Sequence, residues 1–270
     1  MTQASICAVS HIGNSRGNQE DNFLVCQGRY LPPDMRDHMA HDRIPHRITG
    51  KIDKSRFLVA VSDGMGGHAC GEVASLMAVE YLSDHYDDVI DAVKLNSDAL
   101  SLRLSGVNHF VSSVSKNDSS RRGMGATLCG VVSNGYDMVG FNIGDSRLYQ
   151  WKDGEIRQLS TDHTEGQRLI NMHLLTAEEE KKFPRRKMLY KFIGYDGEIV
   201  PDVFPIMGTE PGTALLLCTD GLSDVLTAEE MEEILRNGSD IKETAMALVK
   251  EAASRNIGHG DNITVILMEF

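Results

Sequence analysis

The sequence predicts an α+β fold, antiparallel sheets covered by helices, and three observations carry that prediction. Short apolar runs end abruptly at aspartates beside glycine, as buried strands do where they leave a core. Two hairpin signals, Asn134-Gly135 and Asp153-Gly154, sit between strand-like stretches. Helical spacing comes in pairs rather than alternating with single strands.

Taken in order, strand-like stretches appear at about Ser5–His11 and Asn22–Gln27. The polar segment Arg29–Arg56 holds Pro32, Pro33 and Pro45 and reads as a loop or long hairpin excursion. A buried strand follows at Phe57–Ser62. Val73, Met77 and Tyr81 lie four apart and predict a helix from Gly71 to about Tyr86. Leu100, Leu104, Val107, Val111 and Val114 predict another over Ser97–Lys116. Ala126–Val132, Asp137–Ile143, Arg147–Trp151 and Glu155–Leu159 then predict a four-stranded antiparallel meander. Thr176 with Glu179, and Thr227 with Glu230, have the spacing of helix capping boxes. Leu215–Thr219 is a buried strand, Ile241–Arg255 a helix with Ile241, Ala245, Leu248 and Ala252 on one face, and Ile263–Phe270 a β-rich end.

Composition narrows the function classes. An apolar fraction of 41% suits a packed core rather than disorder. A net charge of −12 argues against nonspecific binding to nucleic acid or anionic membrane. No apolar stretch approaches the roughly 20 residues of a membrane span. Met1–Ile6 lacks the basic segment and apolar core of a signal peptide. The five cysteines are odd in number and widely spaced, which predicts reduced thiols and a cytosolic compartment. No C-x-x-C pair points to zinc.

The chemistry lies in the aspartates. Asp63, Asp145 and Asp220 each stand where an apolar run stops. Carboxylates gathered at strand ends repel one another unless a cation neutralises them, and a divalent ion with oxygen ligands is the natural partner.

Six segments in order complete the reading: Arg16–Asn22, Asp63-Gly-Met-Gly-Gly67, Met124–Thr127, Gly144-Asp-Ser-Arg147, Thr161–Thr164, and Asp220-Gly221 with Gly260-Asp261-Asn262. Together they closely resemble the protein phosphatase type 2C family of metal-dependent serine/threonine phosphatases, across nearly the whole chain. The resemblance implies a four-layer α-β-β-α sandwich of two antiparallel sheets flanked by helices. It implies one catalytic domain over 1–270, with a flap at about 165–207. It implies a binuclear Mg²⁺ or Mn²⁺ centre, with a weaker third ion, at which an activated water hydrolyses phosphoserine or phosphothreonine. Carried over by position, Asp63 bridges both metals, and Asp220 and Asp261 bind one of them. Glu20 and the Gly64 carbonyl contact the other, with Asp21 assisting through water. Asp145 shares the third ion with Asp220, and Arg16 grips the substrate phosphate.

Elementary chemistry agrees. Mg²⁺ and Mn²⁺ want oxygen ligands, and glycines beside Asp63 let backbone approach an ion. Guanidinium matches a phosphoryl group with paired donors. The bland alternatives are that Asp145 caps a turn and that Arg16 pairs with the acidic cluster. His163 reads as structural, and the basic cluster Lys181–Lys187 as a solvated face. Eukaryotic members carry a histidine where this chain has Met65, so the chain resembles bacterial members, and a water on the metal is the first candidate for general acid. Gln167–Ile170, Leu174–Glu179 and Arg185–Tyr190 resemble the flap helices and return strand of those members. The expected partners are phosphoproteins and a cognate serine/threonine kinase, for a monomer that binds neither nucleic acid nor membrane. The competing readings are a catalytically dead phosphoprotein binder, opposed by the full set of carboxylates, and a small-molecule phosphomonoesterase.

Overall fold

The structure is a computed structural model that describes residues 3–65, 70–95, 97–255 and 260–270. Gly66 and Gly67 of the Asp63–Gly67 motif, and the first two residues of the chain, lie outside them. Strands β1 (Gln3–His11) and β2 (Asn22–Val25) are followed by helix α1 (Pro33–Asp42) and strand β3 (His46–Asp53). Strand β4 (Phe57–Ser62) leads into the two-residue β5 (Gly64–Met65) and then helices α2 (Gly71–Asp84), α3 (Tyr86–Leu95) and α4 (Ser97–Asn117). Strands β6 (Gly125–Ala126), β7 (Leu128–Ser133), β8 (Met138–Ile143), β9 (Arg147–Lys152) and β10 (Glu155–Gln158) come next. Helices α5 (Glu165–Asn171) and α6 (Ala177–Glu180) precede β11 (Asp202–Pro205) and β12 (Ala214–Cys218). The chain closes with α7 (Asp220–Ser223), α8 (Ala228–Asn237), α9 (Ile241–Arg255) and β13 (Ile263–Glu269).

Two antiparallel sheets result, ordered β10-β9-β12-β13-β1-β3 and β11-β8-β7-β4-β2. The apolar runs are continuous because both faces of their strands are buried. In β4, Val59 and Val61 point into the core between the sheets, whereas Leu58 and Ala60 meet the layer of α2, α3 and α4. In β12, Leu215 and Leu217 point inward, while Leu216 and Cys218 pack with Leu248 and Val249 of α9. Helix layers therefore cover both outer faces, giving the α-β-β-α order. Both capping boxes form, at Thr176 with Glu179 and at Thr227 with Glu230.

Four expectations need correction. The meander does not form. The β7–β8 hairpin belongs to one sheet, and β9–β10 to the other, because β9 pairs with β12 instead of β8. The turn that diverts the chain is Gly144, whose φ of +106° only glycine adopts easily and whose missing Cβ leaves room for Thr127. The Arg29–Arg56 excursion is not a plain loop. Pro33 opens α1 at its first position, and β3 adds to β1 as an edge strand. Helix α3 has no counterpart in the sequence reading, since Asp87, Asp88, Asp91 and Lys94 mask the buried stripe of Val89, Ile90 and Val93. Residues 185–190 form turns with one isolated bridge, Thr164 to Leu189, rather than a return strand.

Candidate metal centre

Every expected site residue lies at one end of the paired sheets. Arg16, Glu20 and Asp21 sit between β1 and β2, Asp63 just after β4, and Gly64 in β5. Asp145 links β8 to β9, Asp220 follows β12, and Asp261 precedes β13. Antiparallel pairing brings these ends together: Cys218 lies opposite both Arg147 and Val265, and Ser62 opposite Asn22.

There they line a cavity of about 830 Å³ shared by Arg16, Glu20, Asp63, Gly64, Asp145, Asp220 and Asp261. Asp21 does not line it. Its side chain is buried beneath the floor, where Oδ2 accepts from the Thr219 hydroxyl at 2.8 Å.

The backbone around Asp63 is fixed by a small network. Asp63 N–H donates to Thr127 Oγ1 at 2.9 Å, and Thr127 N–H donates to the Asp63 carbonyl at 2.8 Å. Thr127 Oγ1 also meets Ser146 Oγ at 2.6 Å, which ties Asp63 to the turn carrying Asp145. A side chain at Gly64 would collide with the backbone of Gly71 and Glu20, so β5 can lie against the start of α2 only with glycine there. Asn262 joins the remaining strands: Oδ1 accepts from Glu20 N–H at 2.7 Å, and Nδ2 donates to the carbonyls of Ile12 and Asn18. His163 is structural, as expected. It is buried, and its Nδ1 accepts from Gly144 N–H at 2.9 Å.

The electrostatics are those of crowded, desolvated carboxyls. Burial, then Asp21, Asp220, Asp261 and Asp145, push Asp63 well above the carboxylate range. Burial does the same to Asp21, against the hydrogen bond from Thr219. Burial, with Asp220, Asp162 and Asp224, pushes Asp145 up to about 7. Burial, with Asp224 and Asp261, pushes Asp220 up to about 6. Glu20 is raised by burial and by Glu72. Each shift disfavours the charged form, which a cation alongside would favour.

Whether the residues suit an ion can be tested on the chain itself. Among the described residues no three His, Cys, Asp or Glu side chains are arranged to hold an ion as they stand. The donor chemistry nevertheless fits a hard cation. The candidate ligands are all oxygens, and the buried Oδ1 atoms of Asp21 and Asp220 have no hydrogen-bond partner among the described residues. Bare buried acceptors beside raised carboxyls suit a hard cation.

Arg16 pairs with the acidic cluster, Nη2 donating to Asp261 Oδ2 at 2.8 Å, and still faces the cavity. Sequence reasoning missed several lining residues. Lys187, expected on a solvated face, lines the cavity and pairs with Asp224. Asn18, inside the Arg16–Asn22 segment, also lines it, as do Glu72 and Phe192, which no local pattern marks.

Arg36 is a further surprise. It comes from the excursion, is buried, and donates to the Glu72 carbonyl at 2.5 Å and the Ser75 hydroxyl at 3.4 Å. Ser75 Oγ in turn donates to the Glu20 carbonyl at 2.5 Å, the same oxygen that accepts from Gly64 N–H at 3.2 Å. The excursion thus braces the Glu20–Gly64 side of the cavity.

Comparison with known proteins finds a matching family model and matching folds. The model of the protein phosphatase 2C family matches residues 40–254, which include Asp63, Asp145 and Asp220. The serine/threonine phosphatase stp of Listeria monocytogenes (serotype 4b) is 34% identical over 215 residues, spanning 78% of this chain and 84% of that protein. The S. agalactiae serine/threonine phosphatase shares the fold, with a TM-score of 0.80 at 24% identity over 98% of this chain and 99% of that one. The catalytic domain of the serine threonine protein phosphatase PstP, solved in complex with two manganese ions, superposes with a TM-score of 0.72. It is 28% identical over 99% of both chains.

Proposed function

The chain belongs to the protein phosphatase 2C family, and from that membership we propose that it hydrolyses phosphoserine and phosphothreonine in proteins at a pair of Mg²⁺ or Mn²⁺ ions. The observation that carries this reading is the single cavity lined by Glu20, Asp63, Asp145, Asp220 and Asp261, with an arginine at its edge. Asp63, Asp220 and Asp261, with Glu20 and the Gly64 carbonyl, would hold the pair of ions, Asp145 with Asp220 would hold a weaker third, and Asp21 would assist from beneath. When bound, the ions supply Lewis acidity and an activated water.

The chain's own residues supply position. Thr127 and Ser146 hold Asp63 and Asp145 in fixed relation. Arg16 lies at the cavity with one nitrogen on Asp261, and its other donors would take phosphoryl oxygens. Met65 lines the cavity and has no proton to give, so it is not the general acid, and a water is the first candidate for that role. The whole chain is read as one catalytic domain, with residues 165–207 as a flap that chooses the protein substrate.

In the cell this reading sets the protein in the cytoplasm, as a monomer opposing a serine/threonine kinase. Its five free thiols support a reducing compartment. No helix among the described residues is long and apolar enough to cross a membrane. The complete carboxylate set disfavours a dead phosphoprotein binder. The test is phosphate release from a phosphothreonine peptide with Mn²⁺ and with chelator. Metal-dependent release is expected, and no release under any divalent ion would overturn the reading.

A further inference from the structure

Beside the metal-lined cavity lies a second groove of about 480 Å³. Gly123 and Phe192 line both, so the two share a wall. Its floor and walls include the rings of Phe192 and Tyr195, set edge to face with centroids 5.8 Å apart. Tyr195 is 43% exposed, so aromatic surface is offered to solvent here.

The charges on and beside the groove are unevenly matched. Lys116 pairs with Asp196 at 2.6 Å, and Arg121 with Asp118 at 3.3 Å. Arg122 lines the groove, is exposed, and has no ion-pair or hydrogen-bond partner among the described residues. In a chain of net charge −12 this cation, next to aromatic surface and one wall away from the candidate centre, is a local exception.

Resting on the phosphatase reading, we propose that this groove is a subsite for the substrate peptide, selecting an acidic side chain near the phosphoresidue. Phe192 and Tyr195 offer flat surface to the peptide, and the Arg122 guanidinium offers paired donors to a carboxylate. An extended peptide advances ~3.4 Å per residue, so neighbours within about three positions span ~10 Å on either side of a phosphoresidue in the first cavity. The overall negative charge repels acidic peptides, so a local cation decides whether they are accepted.

The experiment compares phosphothreonine peptides carrying Asp, Ala or Lys at each position within about three of the phosphothreonine. The full chain is assayed in Mn²⁺, with p-nitrophenyl phosphate as the small-substrate control. The expected result is an Asp-over-Ala preference in kcat/KM of ~3–5-fold at one or more positions, expressed in KM. Arg122→Glu should abolish or invert that preference, Arg122→Lys should keep most of it, and Tyr195→Ala should raise KM for all peptides. Aryl phosphate turnover should stay within about twofold in each variant, which also reports folding. Equal kcat/KM for the three wild-type peptides would overturn the subsite, as would an Arg122→Glu variant that alters peptides and aryl phosphate alike. No hydrolysis of any substrate in Mn²⁺ would instead overturn the phosphatase reading on which the subsite rests.

Discussion

Removing one charge from the cavity should make the metal-free chain more stable, and Asp220 lets the size be worked out. Burial, with Asp224 and Asp261 nearby, raises its carboxyl from 3.8 to about 6. A displacement of that size, wholly expressed, is roughly 3 kcal/mol. Part of the side chain opens onto the cavity, so solvent screens it, and about 1–2 kcal/mol is the expected net effect. The sign follows from proton counts. Below 3.8 the carboxyl is protonated in both native and unfolded chains, and above about 6 the native chain bears the full cost of ionising it. Its contribution to stability is therefore lost as pH rises through that window. Asp220→Asn should raise the Tm in chelator at pH 8 by ~2–8 °C, with a smaller gain toward pH 4.5. Added Mn²⁺ should stabilise the parent chain by mass action and the variant much less. Thermal melts followed by circular dichroism read all three effects. An unchanged or lower Tm in chelator at pH 8, or a gain equally large at pH 4.5, would refute the reasoning.

Three further outcomes follow from the same geometry. Asp63→Asn should lower the hydrolytic rate by ~10³-fold or more while leaving the circular dichroism spectrum unchanged, and near-normal turnover would remove Asp63 from the centre. Arg16→Ala should raise KM for phosphopeptides ~10-fold with little change in Mn²⁺ titration; a collapse of metal affinity would make its pairing with Asp261 its main role. Arg36→Ala should weaken Mn²⁺ binding measured by calorimetry, because the Ser75–Glu20–Gly64 chain loses its buried anchor, and unchanged metal affinity would limit Arg36 to holding α1 in place.

Much of the fold was legible because strand burial leaves long apolar runs and because capping boxes act within a single turn. Val59 and Leu58 face opposite helix and sheet layers, so β4 needs apolar residues at both parities. Thr227 and Glu230 satisfy each other's backbone locally, so spacing alone reveals them. Sheet membership was not legible. Asp153-Gly154 specifies a hairpin, but whether β9 continues beside β8 or crosses to β12 depends on the Gly144 turn and on Leu215–Cys218, remote in sequence. The site divides in the same way. Asp63, Asp145 and Asp220 stand where apolar runs stop, whereas Glu20 and Asp261 entered only through the family resemblance. Lys187, Glu72 and Arg36 reach the cavity or brace it only through tertiary packing, and their neighbourhoods in the chain look like ordinary polar surface.

The most direct test is to strip the protein of metal, then titrate Mn²⁺ while measuring bound ions and phosphate released from a phosphothreonine peptide. The carboxylate cluster predicts no turnover in chelator and recovery as two ions bind per chain, with Asp63→Asn defective in both. Full turnover by the stripped protein, or recovery in Asp63→Asn equal to the parent, would contradict it.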